Sequence, residues 1–208
     1  DKYYVSVTSH LRVKAKGCAF EKWLKDNCDR ADELREAAAE SGSKIHKKCE
    51  ILQKEGKVSV EDCTEDEIKK IQGFVNWIKD YSPINKHTEV AMANEKEGYA
   101  GTVDIICAIE DKEGILEYII DIKTGSSIHE EHWYQMAAYA KMADKQRRGI
   151  LHLKASTKKG YQFLDDKDYD RDLEEDFQAY KCCKYLWTLE NKNWEYKPEK
   201  ELPKEILL

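Results

Sequence analysis

Residues 99–123, YAGTVDIICAIEDKEGILEYIIDIK, decide the fold of this chain. Two runs rich in β-branched and aromatic residues, at 99–109 and 115–122, flank the polar segment 110–114. Such runs favour strands, and a short polar connection between them favours an antiparallel hairpin. This stretch therefore predicts paired strands at the centre of a β-sheet.

Each predicted strand of the hairpin carries one aspartate between apolar neighbours, Asp104 in the first and Asp121 in the second. A buried carboxylate is costly unless it is paired or bound to a metal. Pairing of the two strands would bring both acids within a few ångströms of each other, where a cation is needed to offset their repulsion. Mg²⁺ and Mn²⁺ prefer such oxygen ligands, so the pattern indicates a divalent-cation site.

A lysine follows the second acid at a spacing that matters for chemistry. Lys123 lies two residues beyond Asp121, so on a strand both side chains project from the same face. An ammonium group there can orient a water, help to deprotonate it, or stabilise charge in a transition state. The alternative is an ordinary buried Asp–Lys ion pair, which the common tripeptide Asp-x-Lys favours when it stands alone.

Helical and strand-like patterns surround this hairpin. Only three prolines and ten glycines interrupt the chain, so long regular elements are expected. A short helix capped by Ser9 is predicted first, and the long helix over 29–54 is expected to be interrupted or bent near 41–43. The other predicted helices are 19–27, 65–79, 129–143 and 172–191, and the other strands are 88–93, 150–154 and 160–164. This order predicts an α/β (α+β) fold.

Composition sets outer limits on function. The 208 residues suit one domain, and the hydrophobic share of 41% with 10% aromatics argues against disorder. A net charge of −6 argues against a nucleic-acid partner when the chain is taken as a whole. No run approaches the roughly 18 apolar residues of a membrane span, so no membrane partner is expected.

Location and redox state follow from the N-terminus and the cysteines. The first residues lack the apolar core of a signal peptide, which indicates a cytoplasmic location. Seven cysteines form an odd set without a CxxC pair, so reduced thiols are expected.

Four short motifs occur in order along the chain. They are GSKIH at 42–46, GTVD at 101–104, DIKTG at 121–125 and QMAAY at 135–139. In their helix–strand–strand–helix context they resemble the PD-(D/E)xK nuclease superfamily, and specifically its RecB-like, phage-type exonuclease branch. The resemblance implies a restriction-endonuclease-like core, in which a central mixed β-sheet flanked by helices follows a helical N-terminal region.

The resemblance also implies a metal site that holds one or two Mg²⁺ or Mn²⁺ ions. Asp104 and Asp121 would hold the catalytic metal together with the backbone carbonyl of Ile122. His46 would ligate or adjoin a metal from the helical side. Glu89, in the preceding strand, is a weaker candidate for one more carboxylate.

The remaining matches imply catalytic roles. Lys123 would act on the attacking water, and Gln135 and Tyr139, one helical turn apart, would position the nucleic-acid backbone or that water. Some relatives carry an iron–sulphur cluster. The late cysteines here, Cys182 and Cys183, are adjacent and poorly spaced for one metal, so no cluster is expected.

Candidate nucleic-acid contacts lie after these motifs. Thr124 and Ser126 are candidates for phosphate binding, with a plain turn and helix cap as the alternative. Residues 145–164 contain six basic and no acidic side chains, and they are expected to line a DNA groove, with a solvated surface as the alternative. The acidic run 165–176 is expected to face away from the substrate. The candidate groove lysines are Lys154, Lys158 and Lys159.

Trp23 and Tyr99 are candidates for base stacking, with core packing as the favoured alternative. Together the residues predict a single nuclease domain over 1–208, divided into a mainly helical part (1–87), a catalytic sheet and helix (88–164) and a C-terminal helix and tail (165–208). The expected activity is metal-dependent DNA exonuclease cleavage in phage or bacterial recombination or repair. An endonuclease, an RNA-directed nuclease or a silent DNA-binding module are alternatives, and a recombination-protein partner or a homo-oligomer stays open.

Overall fold

The computed structural model describes residues 3–15, 17–112, 114–145 and 147–195. The predicted tail from residue 196 onward and residue 113 of the predicted turn lie outside this part. Helices and strands follow one another within it in the order that the sequence predicts, with bounds shifted by a few residues. In chain order they are α1 (Val7–Leu11), α2 (Cys18–Asp26), α3 (Ala31–Glu55), α4 (Glu65–Tyr81), β1 (Ile84–Asn94), β2 (Tyr99–Asp111), β3 (Gly114–Lys123), α5 (Glu130–Ala143), β4 (Arg147–Leu153), β5 (Tyr161–Asp165) and α6 (Leu173–Glu190).

The strands form one mixed sheet in the order β1-β2-β3-β4-β5. The β1–β2, β2–β3 and β4–β5 pairs are antiparallel, whereas β3 and β4 are parallel and α5 provides the crossover between them. Helices flank the sheet and precede it. The predicted α/β (α+β) class, with its mixed sheet and helical N-terminal region, is therefore confirmed.

Hydrophobic clusters cover both faces of the sheet. In β3, Ile119 faces the cluster that contains α5 and α6 residues, and Ile120 faces the cluster that contains α3 and α4 residues. Both side chains are fully buried. A strand buried on both faces has a continuous apolar sequence, which explains the run that precedes Asp121. Tyr99 also lies in the first cluster with no exposed surface, so its base-stacking role is wrong.

Two local predictions are corrected. Ser6, not Ser9, caps α1, because Ser6 has extended backbone angles and its hydroxyl accepts a hydrogen bond from the Ser9 amide at 3.1 Å. Helix α3 continues through residues 41–43 without a break. A Cβ at Gly42 would lie 3.1 Å from Thr124 Oγ1, so this glycine allows close packing of α3 instead of interrupting it.

Two arginines of the basic stretch 145–164 form ion pairs with acidic side chains of the same fold. Arg148 is fully buried, and it donates hydrogen bonds to Asp166 at 3.1 Å and to Asp176 at 2.7 Å. Arg147 forms ion pairs with Asp165 and Asp166. A buried charge is tolerated only with such partners. The expectation that the whole basic stretch lines a groove is therefore wrong for these two arginines, whose charges are already paired. The orientation of the acidic run relative to a substrate stays a prediction.

A buried histidine joins α1 to α6. His10 is 2% exposed, and its Nδ1 lies 2.8 Å from the Tyr180 hydroxyl. Burial, assisted by the charge of Lys184, lowers the pKa of His10 to about 4. Protonation of this imidazole therefore opposes folding.

We expect the free energy of unfolding to fall as the pH drops from about 6.5 towards 4, because the unfolded chain binds a proton that the folded His10 refuses. One such proton contributes a slope of up to about 1.36 kcal/mol per pH unit. His10→Gln should lose this contribution, while His87→Gln, at an exposed position, should keep it. Urea denaturation at a series of pH values measures the slope. Equal slopes in the wild type and His10→Gln would contradict the assignment.

None of the described helices is both long enough and apolar enough to cross a bilayer.

Candidate active site

The strand register aligns three carboxylates across the sheet. The β1–β2 pairs on either side of Glu89 put this residue opposite Asp104. One residue beyond the last β2–β3 pair, Asp104 and Asp121 stand across from each other. Three acids on neighbouring strands concentrate negative charge, which raises the demand for a compensating cation.

Asp104 connects the sheet to α3. Its Oδ2 accepts a hydrogen bond from the Ile122 amide at 2.6 Å, and His46 Nδ1 lies 3.5 Å from the same oxygen. Burial lowers the pKa of His46, but the interaction with Asp104 and the charge of Asp121 outweigh burial and the net shift is upward. The imidazole and the carboxylate row therefore form one electrostatic unit.

Asp121 is the most buried acid of the row, with 3% of its surface exposed. Its Oδ1 accepts a hydrogen bond from Gln135 Nε2 at 3.1 Å, and Lys123 Nζ lies 2.7 Å from Oδ2. This second contact is ionic, since Oδ2 accepts no well-directed hydrogen bond from the described residues. Burial raises the pKa of Asp121, Lys123 opposes that shift, and Asp104 adds to it.

Gln135 fixes the relative positions of the acid and the lysine. While Nε2 donates to Asp121, Oε1 accepts a hydrogen bond from Lys123 Nζ at 3.0 Å. The same Nε2 also donates to the Tyr139 hydroxyl at 3.0 Å, which sets the orientation of the amide. Gln135 and Tyr139 are both buried, and Gln135 contacts the Lys123 and Asp121 side chains while Tyr139 contacts Gln135. Their predicted role in positioning a nucleic-acid backbone or a water stays a prediction. Burial and then the charge of Asp121 raise the pKa of Tyr139, which keeps the phenol protonated.

Glycines and one histidine support this arrangement from outside. A Cβ at Gly101 would lie 2.6 Å from Tyr139 Cε1, so the glycine of the GTVD motif makes room for the ring. His152 was not among the predicted residues. Its Nε2 lies 2.7 Å from the Gly125 carbonyl oxygen, and it pairs in register with Lys123. The only sequence signal for it was a histidine in a predicted strand.

Glu89 differs from the other acids in backbone and exposure. Its φ is +52°, a left-handed conformation that a non-glycine residue adopts at a cost of order 1–3 kcal/mol, and such strain is concentrated at functional sites. Burial and the charge of Asp104 raise the pKa of Glu89. The donor atoms of His46, Glu89 and Asp104 all lie within 4.8 Å of one another. They line an open cleft of about 410 Å³ together with Gly42 and Lys47.

These donors fit a hard divalent cation. Carboxylate oxygens and an imidazole nitrogen converge within bonding reach of one ion, and a buried oxygen of Asp121 has spare accepting capacity. Burial is the main reason that the pKa values of Glu89 and Asp121 are raised, and the charge of Asp104 adds to it, so a bound cation would lower both pKa values.

The predicted nucleic-acid residues occupy one end of the sheet. Thr124 and Ser126 lie in the loop after β3, and Lys154 follows β4, which runs parallel to β3 and ends on the same side. Lys158 is exposed in the next turn. Lys159 also lies in that turn but forms an ion pair of 2.6 Å with Asp80 of α4, so part of its charge is already compensated.

Comparisons with known proteins found solved structures of low sequence identity. No protein-family model and no curated protein matches the chain. The alkaline exonuclease LHK-Exo from Laribacter hongkongensis aligns with a TM-score of 0.45 and 13% identity, over 91% of this chain and 94% of that chain. The structure of LHK-Exo in complex with dAMP aligns with a TM-score of 0.44 and 15% identity, over 91% of this chain and 94% of that chain. The crystal structure of SSO0001 aligns with a TM-score of 0.42 and 16% identity, over 89% of this chain and 77% of that chain.

Gly101→Ala should lower the free energy of unfolding by about 1–3 kcal/mol, because the added methyl meets the Tyr139 ring. Tyr139→Leu in the same chain should recover part of this loss, so the two changes should be non-additive in a double-mutant cycle. Gly17→Ala, where the added Cβ meets nothing within 4 Å, is the control and should cost less. Chemical denaturation measures the four proteins of the cycle and the Gly17→Ala control, and strict additivity would contradict the proposed contact.

Proposed function

We propose that this chain is a divalent-metal-dependent nuclease of the PD-(D/E)xK superfamily that hydrolyses phosphodiester bonds in DNA. One observation carries the proposal: the buried Asp121 carboxylate lies opposite Asp104 and contacts Lys123 Nζ at 2.7 Å. An ordinary ion pair explains Asp121 and Lys123 alone. It does not account for two further acids and an imidazole whose donor atoms lie within 4.8 Å of one another, one of them the Asp104 carboxylate opposite Asp121.

The metal ligands in this proposal come from four elements, α3, β1, β2 and β3. Asp104 and Asp121 would hold the ion with the backbone carbonyl of Ile122, while His46 adds a nitrogen ligand or lies beside the ion. Glu89 is a further carboxylate within reach of Asp104. A bound Mg²⁺ or Mn²⁺ supplies Lewis-acid activation of the phosphoryl group and lowers the pKa of water.

Lys123 supplies the positive charge at the reacting centre. Its side chain is 23% exposed, so the ammonium group can reach a water or a phosphate oxygen from the cleft. Gln135 holds Nζ at 3.0 Å and limits the freedom of the long side chain. A positioned cation of this kind can orient the attacking water and stabilise the charge that develops on the phosphate. Tyr139 contributes through Gln135, as a positioning residue.

The finer assignment rests on the four motifs. Their resemblance to RecB-like and phage-type enzymes favours an exonuclease acting on DNA ends, in recombination or repair, in the cytoplasm of a bacterial or phage-infected cell. Thr124, Ser126 and Lys154 border the site and are the proposed phosphate contacts. Endonuclease or RNA cleavage would use the same residues, and substrate choice separates these activities.

End-labelled linear DNA and closed circular DNA, incubated with Mg²⁺, Mn²⁺ or EDTA, test the activity. We expect metal-dependent loss of the linear substrate only, and at least a roughly 100-fold lower rate for Lys123→Ala and for Asp121→Asn. Lys141→Ala, which removes a lysine paired with Glu174 on α6, is the matched control and should retain the wild-type rate. Equal rates in Lys123→Ala and the wild type would refute the catalytic assignment. Nicking of circles would indicate an endonuclease, and metal-dependent cleavage of RNA alone would change the substrate.

The lysines at the end of β4 can be tested separately by binding. Lys154→Ala and Lys158→Ala should each weaken DNA binding and reduce its salt dependence by about one phosphate contact, when Ca²⁺ replaces the activating metal. Lys159→Ala should have a smaller effect, because Asp80 already pairs with this lysine. Lys192→Ala, exposed after α6, is the control. An unchanged affinity and salt slope would remove the three lysines from the groove.

A further inference from the structure

A second cleft, of about 420 Å³, lies beside the candidate active site. Phe20 and Trp23 of α2 form one wall, and Leu34 and Ala38 of α3 form another. The loop after β3 closes the cleft with Ser126 and Ser127. Within this wall, Trp23 is the residue for which the sequence offered base stacking, with core packing as the favoured alternative.

The aromatic wall is a nearly parallel pair of rings. The ring centroids of Phe20 and Trp23 are 5.9 Å apart with an interplanar angle of 18°. Both side chains are half-buried, and α2 contributes no fully buried residue to the cores. Aromatic surface that faces a concave cleft instead of a core is typical of a ligand site.

The cleft and the candidate active site share one face of α3. Ala38, Gly42 and His46 are spaced four residues apart, so they lie along the same side of the helix. Ala38 borders the second cleft, and the other two border the first. The helix rises about 1.5 Å per residue, so Ala38 and His46 are separated by about 12 Å. A strand cut at the metal site would pass within a few nucleotides of the aromatic pair.

Polar groups at the rim suit an anionic chain. Arg35, Ser126, Ser127 and His129 line the cleft, and no acidic side chain is among its described lining residues. Flat rings beside hydroxyl and guanidinium donors match a base attached to a phosphodiester. We propose that this cleft stacks an unpaired nucleobase of a single-stranded DNA end while the active site cuts a neighbouring phosphodiester. This inference rests on the proposed nuclease function and adds the substrate form.

The test compares two twelve-nucleotide probes in Ca²⁺: oligodeoxyadenylate and an abasic chain with the same phosphates. The wild type should bind the adenylate at least 5-fold more tightly, because one stacked base is worth about that factor or more. Trp23→Ala should remove most of this preference and leave the abasic affinity and the salt slope unchanged, because no phosphate contact is lost.

Further variants separate stacking from loss of structure. Trp23→Leu keeps apolar volume without an aromatic face and should behave like Trp23→Ala, while Trp23→Tyr should retain the preference. Tyr185→Ala removes an aromatic side chain that is 65% exposed on α6 and should change nothing. If Trp23→Leu folds and keeps the full preference for the adenylate, the inference is overturned. If the wild type cleaves no DNA and binds neither probe, the proposed function fails as well.

Discussion

Asp121 carries a carboxylate with almost no access to water, and the surrounding structure has to compensate its charge. Lys123 and Gln135 do so from one side, and Asp104 works against them from the other. The balance is incomplete, since one buried oxygen of Asp121 accepts no well-directed hydrogen bond from the described residues. A cation bound between Asp104 and Asp121 would supply further positive charge. This need for positive charge relates the electrostatics of the sheet to the proposed chemistry.

Three further residues hold the groups around the Asp121 carboxylate in place. Tyr139 sets the Gln135 amide, and Gln135 sets the positions of Lys123 and Asp121. Gly101 permits this by leaving room for the tyrosine ring. Residues far apart in sequence therefore act as one unit, whose precision depends on packing as much as on hydrogen bonds.

The local pattern predicted much of this site. Apolar runs around Asp104 and Asp121 located the hairpin, and strand periodicity put Lys123 on the same face as Asp121. Contacts between elements that are distant in sequence could not be predicted from that pattern. The pairing of Arg148 with Asp166 and Asp176 needs β4 and α6 to meet, so its charge looked available from sequence alone. In the same way, Gln135 and Tyr139 could be placed on one helix face, but not assigned to Lys123 and Asp121 as partners.

The contacts of the site span very different distances along the chain. Asp104 and Asp121 meet within one hairpin, and Gln135 lies 14 residues after Asp121, so these groups need little loop closure to come together. His46 reaches Asp104 from 58 residues earlier in the chain. Contacts of such sequence separation form slowly. We therefore expect the acids and the amide to come together before the imidazole, so a chain still folding presents the carboxylates without their histidine partner.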